Sequence, residues 1–316
     1  MYAEDRGDGI GLSIVVPVFN EAESLPELYA ALAAVLESVG GSSELIFVDD
    51  GSTDASFEIL KGLHDKDQRV KIIQLRRNQG KAAALAVGFR EATGEVIMTL
   101  DGDLQDDPIE IPKFLRKLEE GYDLVSGWKA QRRDPWSRRF LSALFNYVTA
   151  FITGLRIHDF NCGFKAYRRA VVSELKLHGE LHRFIPALAS WRGFRIAEIQ
   201  VKHHPRRHGK SKYGVERIPG GFFDLLTVIM LTRFTAKPLH LFGLLGVLLG
   251  FAGMTIMGYL SLGWFLGKWI GTRPILLIGA VLVIAGIQLI SFGLVAEMIV
   301  YASGTQGDPP VRTILK

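Results

Sequence analysis

The stretch Glu95–Asp107 reads EVIMTLDGDLQDD. Its first part is an apolar run of strand length, Val96–Leu100, and the rest is a turn dense in carboxylates. A short apolar run bounded by such a turn reads as a buried β-strand with a polar loop at its carboxyl end. Working outward, the same pairing recurs three times upstream. Leu12–Val16 runs into Pro17-Val18-Phe19-Asn20-Glu21, Leu45–Val48 into Asp49-Asp50-Gly51-Ser52-Thr53-Asp54, and Lys71–Leu75 into Arg76-Arg77-Asn78-Gln79-Gly80-Lys81. Helix-length stretches separate them: one reaching Val39, then Ala55–Leu63, Lys81–Ala92 and Ile109–Glu119, with Asp123–Val125 as a further strand. A strand every 25–33 residues or so is the spacing that parallel βαβ units need. The expectation is an α/β chain with a Rossmann-like, doubly wound sheet. Ligands of such sheets bind beyond the carboxyl ends of the strands, and all four polar loops fall there.

Asp101 and Asp103 flank a glycine at a strand end, with Gln105 two residues on. Hard oxygen ligands of this kind suit Mg²⁺ or Mn²⁺ held together with substrate phosphates. Two familiar nucleotide folds are excluded. The turn after the first strand is Pro17–Glu21 rather than Gly-X-Gly-X-X-Gly, and Gly80-Lys81 has Leu75 where a phosphate-binding loop needs its first glycine. Asp106 and Asp107 are expected to cap the helix that starts near Pro108. Cys162, the single cysteine, reads as a small buried hydrophobe and excludes a disulfide scaffold. His203, His204 and His208 lie in a basic stretch without the companion ligands of a zinc site.

The average composition, 48% hydrophobic and 22% charged, conceals a division. Leu239 to Tyr301 holds only three charged residues, Lys268, Arg273 and Glu297. Leu239–Leu266 and Pro274–Ala296 each exceed the roughly 20 apolar residues that cross a bilayer core, and the short Gly267–Arg273 connection makes them an antiparallel hairpin. Arg217, Arg233 and Lys237 precede the first span, and Arg312 and Lys316 follow the second; the connection has only Lys268 and Arg273. That asymmetry favours a cytoplasmic catalytic domain on an inner, plasma membrane. Gly243, Gly246, Gly250 and Gly253 permit close helix contact. Pro219–Phe234 reads as an interfacial helix, and Trp136–Leu155 as either an interfacial helix or a buried core helix. The expected organisation is a flexible tail over 1–11, a catalytic domain over 12–213 with an interfacial helix at 135–155, and a juxtamembrane helix over 214–238. Two spans at 239–266 and 274–301 and a cytoplasmic tail over 302–316 follow. Residues 1–11 are polar and glycine-rich, so no signal peptide is expected. A net charge of +4 gives no reason to expect nucleic acid as partner.

The runs VVPVFNE (Val15–Glu21), VDDGSTD (Val48–Asp54), RNQGKAAA (Arg77–Ala84) and DGDLQDDP (Asp101–Pro108) resemble family 2 glycosyltransferases of the GT-A fold. DFNCGFKAYRR (Asp159–Arg169) and RRHGKSKYG (Arg206–Gly214), followed by two spans, are similar to the polyprenyl-phosphate glycosyltransferases among them. The Gln-X-X-Arg-Trp signature of processive polymerases is missing, so a single transfer per acceptor is favoured. By this resemblance Pro17, Phe19, Glu21, Asp49 and Gly51 line the nucleoside pocket, and Gly80, Lys81, Gly102 and Ser211 approach the donor. Asp101, Asp103 and Gln105 hold the metal and diphosphate. Asp159 faces the acceptor, while Arg206 and Lys212, with Ser211, belong to a loop closing over the diphosphate. Arg138, Arg139 and Ser142 receive the lipid phosphate, with Lys129 nearby. The implied reaction moves one hexose, with inversion, from a nucleotide sugar to undecaprenyl or another polyprenyl phosphate. UDP-glucose leads, GDP-mannose is the alternative, and a hydroxyl-bearing lipid acceptor is a further one that would need Asp159 as base. Relatives form tetramers, so a homo-oligomer is implied.

A phosphate monoester acceptor has its second pKa at about 6. It is therefore mostly ionised near neutrality and needs no strong general base, and the sequence offers no Ser-His pair. Positioning, with cationic stabilisation of the leaving diphosphate, is the chemistry required.

Overall fold

The computed structural model describes residues 11–130, 146, 149–150, 153–175, 181–205, 230, 238–267 and 274–302. The chain divides into two compact units, Met1–Val228 and Ile229–Lys316, described here in turn.

The first unit is built on one sheet of seven strands. They are β1 Leu12–Val18, β2 Ser43–Asp49, β3 Val70–Gln74, β4 Val96–Thr99, β5 Leu124–Trp128, β6 Lys165–Arg168 and β7 Ile196–Gln200, in the order β3-β2-β1-β4-β6-β5-β7. β1 pairs in parallel with β2 and β4, β2 with β3, and β5 with β7. β6 runs antiparallel to both β4 and β5. The parallel βαβ units expected from the strand spacing are there in β1 to β4, and β6 makes the sheet a mixed one. β6 is only KAYR, with a charge at each end, and four such residues carry no apolar run from which a strand is legible.

Helices cover both faces, which is why the central strands read as continuous apolar runs instead of alternating ones. Ile14, Val16 and Val18 of β1 turn to one face and meet Phe47, Leu28, Leu32 and Phe114. Val15 turns to the other and meets Ile46, Val48, Leu85 and Tyr167. On the first face lie α1 (Leu25–Val39), which buries Leu25, Leu28, Leu32 and Leu36 at helical spacing, and α4 (Ile111–Glu119), which buries Ile111, Phe114, Leu115 and Leu118. α2 (Ser56–His64) packs beside β3. On the other face α3 (Lys81–Glu91) lies close because Gly88 has no side chain; a methyl there would run into Val15 and Val48. α5 (Arg169–Glu174) and α6 (Ile185–Trp191) follow β6.

β1 contains Pro17, which has no N–H to give to a ladder. It lies beyond Val15, the last residue of β1 paired with β4, so no bond is lost on that side. The two strands part there, and Gly102 passes over Pro17 closely enough that a Cβ would stand 3.4 Å from its carbonyl oxygen. This is the point at which the strand order reverses, where an open α/β sheet has its crevice.

In the second unit α7 (Pro238–Phe265) and α8 (Pro274–Ala302) form an antiparallel pair. Both are long and apolar enough to cross a membrane. Gly246, Gly253 and Leu260, seven residues apart, are buried in α7. A Cβ on Gly246 would lie 2.6 Å from the Gly286 carbonyl oxygen, and one on Gly253 2.6 Å from that of Gly279. A repeat of seven keeps one seam facing its partner. The close contact that the first-span glycines permit is therefore made within the hairpin at Gly246 and Gly253, whereas a Cβ on Gly243 would meet only Leu239 of its own helix and one on Gly250 would meet nothing. Glu297, the sole acid of the pair, accepts a hydrogen bond at 3.1 Å from the N–H of Leu239, satisfying a free donor at the start of α7. The interfacial helices expected around residues 136–155 and 219–234, and the domain limits at 213 and 214, lie largely outside the described residues.

Candidate active site

The loops after β1 and β2 are stapled together. Asn20 stands at φ 54, and its N–H donates to Ser52 Oγ at 2.9 Å. Its own Oδ1 accepts from the Thr53 N–H at 2.7 Å. Glu21 N–H donates to Ser56 Oγ at 2.9 Å. Phe19 and Glu21 are half-buried beside this staple. Ser24 Oγ donates to the Gly102 carbonyl at 2.8 Å and so fastens the first loop to the Asp-Gly-Asp turn.

Asp49 and Asp50 are both buried. Asp49 accepts from Ser52 N–H at 2.9 Å and Gln74 Nε2 at 3.1 Å, so both its oxygens are used in holding the loop. Asp50, to which the sequence assigns no role, accepts from the N–H groups of Gln79 and Gly80 at 2.7 and 2.9 Å. Burial raises its pKa against those two donors, and Asp49 adds to the rise. Gly51, at φ 70, lets the backbone of Arg77 approach so closely that a Cβ would stand 2.6 Å from it. The Asp-Asp-Gly turn thus sets the third loop and, through it, Gly80 and Lys81.

Lys81, the first residue of α3, pairs its ammonium with Asp101. Withdrawal from solvent works against charge on Asp101, but Lys81 and Lys129 outweigh it and hold the carboxyl at about 2. Asp103 accepts from Gln105 N–H at 3.2 Å, closing a tight turn in which Leu104 stands at φ 59. Asp101, Gly102, Asp103 and Gln105 are therefore together on one loop over Pro17.

Asp106 and Asp107 separate in role. Asp107 caps as expected, accepting from Ile109 N–H at 3.1 Å, and it also meets His204 Nε2 at 3.1 Å. Asp106 does not cap. It is 0% exposed at its side chain and pairs with Lys129 Nζ at 2.8 Å. That pair bears on the expectation that Lys129 receives the lipid phosphate. Its ammonium, 10% exposed, is committed to Asp106 and lends charge to Asp101.

The Asp159–Phe164 turn is brought to the same place by β6. Asp159 is buried; it accepts from Asn161 N–H at 3.1 Å, and its own N–H donates to Glu198 at 2.9 Å. Gly163 lies directly on Asp101, where a Cβ would be 2.6 Å from the carboxylate, and its carbonyl accepts from Thr99 Oγ1 at 2.7 Å. Lys165 reaches back under the turn to the carbonyls of Phe160 and Cys162. Cys162 is buried against Gly127, and burial pushes its thiol up to about 12, so it is inert. Arg138, Arg139, Ser142, Arg206, Ser211 and Lys212 lie outside the described residues.

Among the described residues no group of three His, Cys, Asp or Glu gathers as a metal cage. Two carboxylates and an amide on one turn, next to a lysine, fit the looser manner in which Mg²⁺ or Mn²⁺ is held through one or two carboxylates plus substrate phosphates.

Residues 13–176 match the glycosyl transferase family 2 model. The chain belongs to this family. Among curated family members it is 43% identical over 301 residues to a dodecaprenyl-phosphate galacturonate synthase of Rhizobium johnstonii, covering 93% of this chain and 89% of that one. It is 37% identical over 294 residues to an undecaprenyl-phosphate 4-deoxy-4-formamido-L-arabinose transferase of Pseudomonas paraeruginosa, covering 90% and 84%. Among solved structures it matches glucosyl-3-phosphoglycerate synthase of Mycobacterium tuberculosis, crystallised with Mn²⁺ and uridine diphosphate. The TM-score is 0.56 at 17% identity, over 71% of this chain and 80% of that one. That likeness establishes the GT-A-like fold. The chain is a glycosyltransferase.

Proposed function

We propose that this glycosyltransferase moves one sugar from a nucleotide-sugar donor to a polyprenyl phosphate in the membrane, with inversion at the anomeric carbon. The reading is carried by one juxtaposition: the Asp101–Gln105 turn, Lys81 and the Asp159–Gly163 turn meet at the β1/β4 crevice of a chain that also has a two-helix apolar hairpin. The relatives named above act on dodecaprenyl and undecaprenyl phosphate, which supports the acceptor class. Their names give no support to glucose in particular. Galacturonate and 4-deoxy-4-formamido-L-arabinose become the leading donor sugars, with UDP-glucose a further arm of the test. We place a catalytic domain over 12–213 on the cytoplasmic face of the plasma membrane, with spans at 239–266 and 274–301.

An oxygen of the acceptor phosphate attacks the anomeric carbon. The bond from that carbon to the donor's diphosphate breaks, and its electron pair leaves with the nucleoside diphosphate. Asp101, Asp103 and Gln105 would hold a divalent cation, which when bound would supply charge neutralisation for that departing group. Lys81 holds Asp101 ionised for this duty. Asp159 orients the sugar or the acceptor; its buried carboxylate is fixed by the Asn161 N–H. Arg206, Ser211 and Lys212 cover the diphosphate, and Arg138, Arg139 and Ser142 take the acceptor phosphate.

The test uses the full chain in detergent with Mg²⁺ or Mn²⁺, undecaprenyl phosphate and a panel of labelled nucleotide sugars. Mass spectrometry is expected to find a lipid-linked monosaccharide; no product with any donor rejects the reading. Turnover with diacylglycerol or ceramide in place of the lipid phosphate rejects the acceptor class.

A further inference from the structure

The Asp159 turn is held by side chains of two strands, β6 and β7. Ser126 of β5 is in register with Lys165 on one side and with Glu198 on the other, so the three form one row across the sheet. Residues directly opposite on neighbouring strands turn their side chains to the same face. Ser126 Oγ, buried in the middle of the row, makes no hydrogen bond, so neither charged end is used on it. Both ends go to the turn. Lys165 reaches the carbonyls of Phe160 and Cys162. Glu198 takes the opposite pole of the peptide groups. Its Oε1 accepts from the N–H groups of His158 and Asp159, each at 2.9 Å, and its Oε2 from the His158 N–H at 3.0 Å. The same Oε2 stands 2.7 Å from His158 Nδ1. These donors converge on a carboxylate that has about four acceptor sites, and its side chain is only 11% exposed. Glu198 therefore has little left to offer a substrate. Hydrogen bonds from backbone N–H to a carboxylate are about twice as strong as neutral ones, and two consecutive N–H groups on one acceptor fix the course of the chain into Asp159. The same point is held from other sides. The His158 carbonyl accepts from Asn146 Nδ2 at 2.8 Å, and the His158 ring stacks on Trp128 with centroids 4.2 Å apart. Trp128 precedes Lys129, whose ammonium pairs with Asp106 on the loop of Asp101 and Asp103.

We propose that Glu198 is a positioning residue of the transfer reaction: by holding the His158 and Asp159 N–H groups it sets where the Asp159 carboxylate stands, without itself touching the sugar or the acceptor. This inference rests on the transferase reading above and adds to it a residue outside the loops that meet at the crevice. A misplacement of about 1 Å can cost about a hundredfold in rate, so the effect of Glu198 falls on turnover far more than on binding.

The full chain in detergent is assayed with polyprenyl phosphate and the donor that the panel above identifies. Glu198→Ala is expected to lower kcat by about ten- to a hundredfold. KM for donor and lipid phosphate, and the calorimetric affinity for uridine diphosphate, are expected to stay within about threefold of wild type. Glu198→Gln keeps one accepting oxygen at the same reach and is expected to lose less. In an Asp159→Asn background Glu198→Ala is expected to cost less than about threefold more, because a residue that acts through Asp159 has then lost its object. A kcat near wild type in Glu198→Ala overturns the proposal. So does a loss that multiplies in full with that of Asp159→Asn, or one that appears as a raised KM for the lipid phosphate with kcat unchanged. If the alanine variant does not fold, Glu198→Gln takes its place in the same cycle. Hydrogen exchange gives a reading that needs no turnover: the amides of residues 158–161 are expected to exchange faster in Glu198→Gln than in wild type, with those of β1 and β2 unchanged. Equal protection overturns the proposal. If wild type turns over no donor, the transferase reading fails by itself, and the exchange measurement still decides whether Glu198 holds the turn.

Discussion

At the scale of single residues, Asp106 and Lys129 show how much of a site's order is held by groups that need not touch substrate. Both are nearly inaccessible, and each is the other's main compensation. Removing one charge from such a pair leaves its partner buried alone, which costs about 3–5 kcal/mol, whereas replacing both by apolar groups is often nearly neutral. Lys129→Met is therefore expected to lower stability by several kcal/mol in a denaturant melt, and the double change Lys129→Met, Asp106→Leu to restore most of it. If the double variant is no more stable than the single, the pair is not the unit described here. Asp103→Ala belongs to a different class. Its carboxylate accepts from Gln105 N–H on the turn that would hold the metal, so turnover is expected to vanish in this variant. Activity near wild type would remove Asp103 from the metal and diphosphate. The sequence reveals Asp101, Asp103 and Gln105 by their spacing at a strand end. It does not distinguish Asp106 from Asp107, which are adjacent and chemically identical. Only the arrival of Lys129 and the 3-10 turn decides which one caps.

At the scale of elements, the half of the sheet from β3 to β4 is legible because every strand there is an apolar run followed by a polar turn. The other half is not, since β6 comes from far along the chain and enters backwards. Local ties between elements are also hidden in the sequence. Asp67, in the turn before β3, accepts from Arg69 at 2.8 Å and from the hydroxyl of Tyr29 on α1 at 2.9 Å. Hydrogen bonding from Arg69, acting against partial burial, lowers its carboxyl to about 2 from an ordinary 3.8. A group depressed in the folded state stabilises above its unfolded pKa and loses that contribution as pH falls toward the folded one. Wild type is thus expected to be more stable than Asp67→Asn at neutral pH. The gap should close between about pH 4 and pH 2 in parallel melts. A gap that persists unchanged at pH 2 would mean that the tie is not electrostatic.

At the scale of the whole molecule, the hairpin and the sheet follow different rules. The sheet is specified by burial from water. The hairpin exposes Leu244, Phe251, Tyr259, Phe292 and Met298, so lipid and helix compete on equal terms and close packing must decide. That packing rests on glycine seams with no room for a side chain. Gly253→Leu is expected to separate α7 from α8, and a cysteine pair placed across the seam should then cross-link poorly. Efficient cross-linking in that variant would contradict the seam. Length and apolarity of the spans are plain in the sequence; which glycines face inward is not, because five lie in α7 before Tyr259 and only the register with α8 selects among them. The antiparallel insertion of β6 also has a consequence for biosynthesis. During translation β5 leaves the ribosome before either strand that will flank it, with both edges bare until residues 165–168 and then 196–200 have been made. Pairings of such long sequence separation form slowly, and an unpaired apolar strand is an aggregation hazard meanwhile. The catalytic edge is the last part of the sheet to be completed, so a chain stalled before residue 159 has its nucleotide-side loops but no Asp159 turn to set against them.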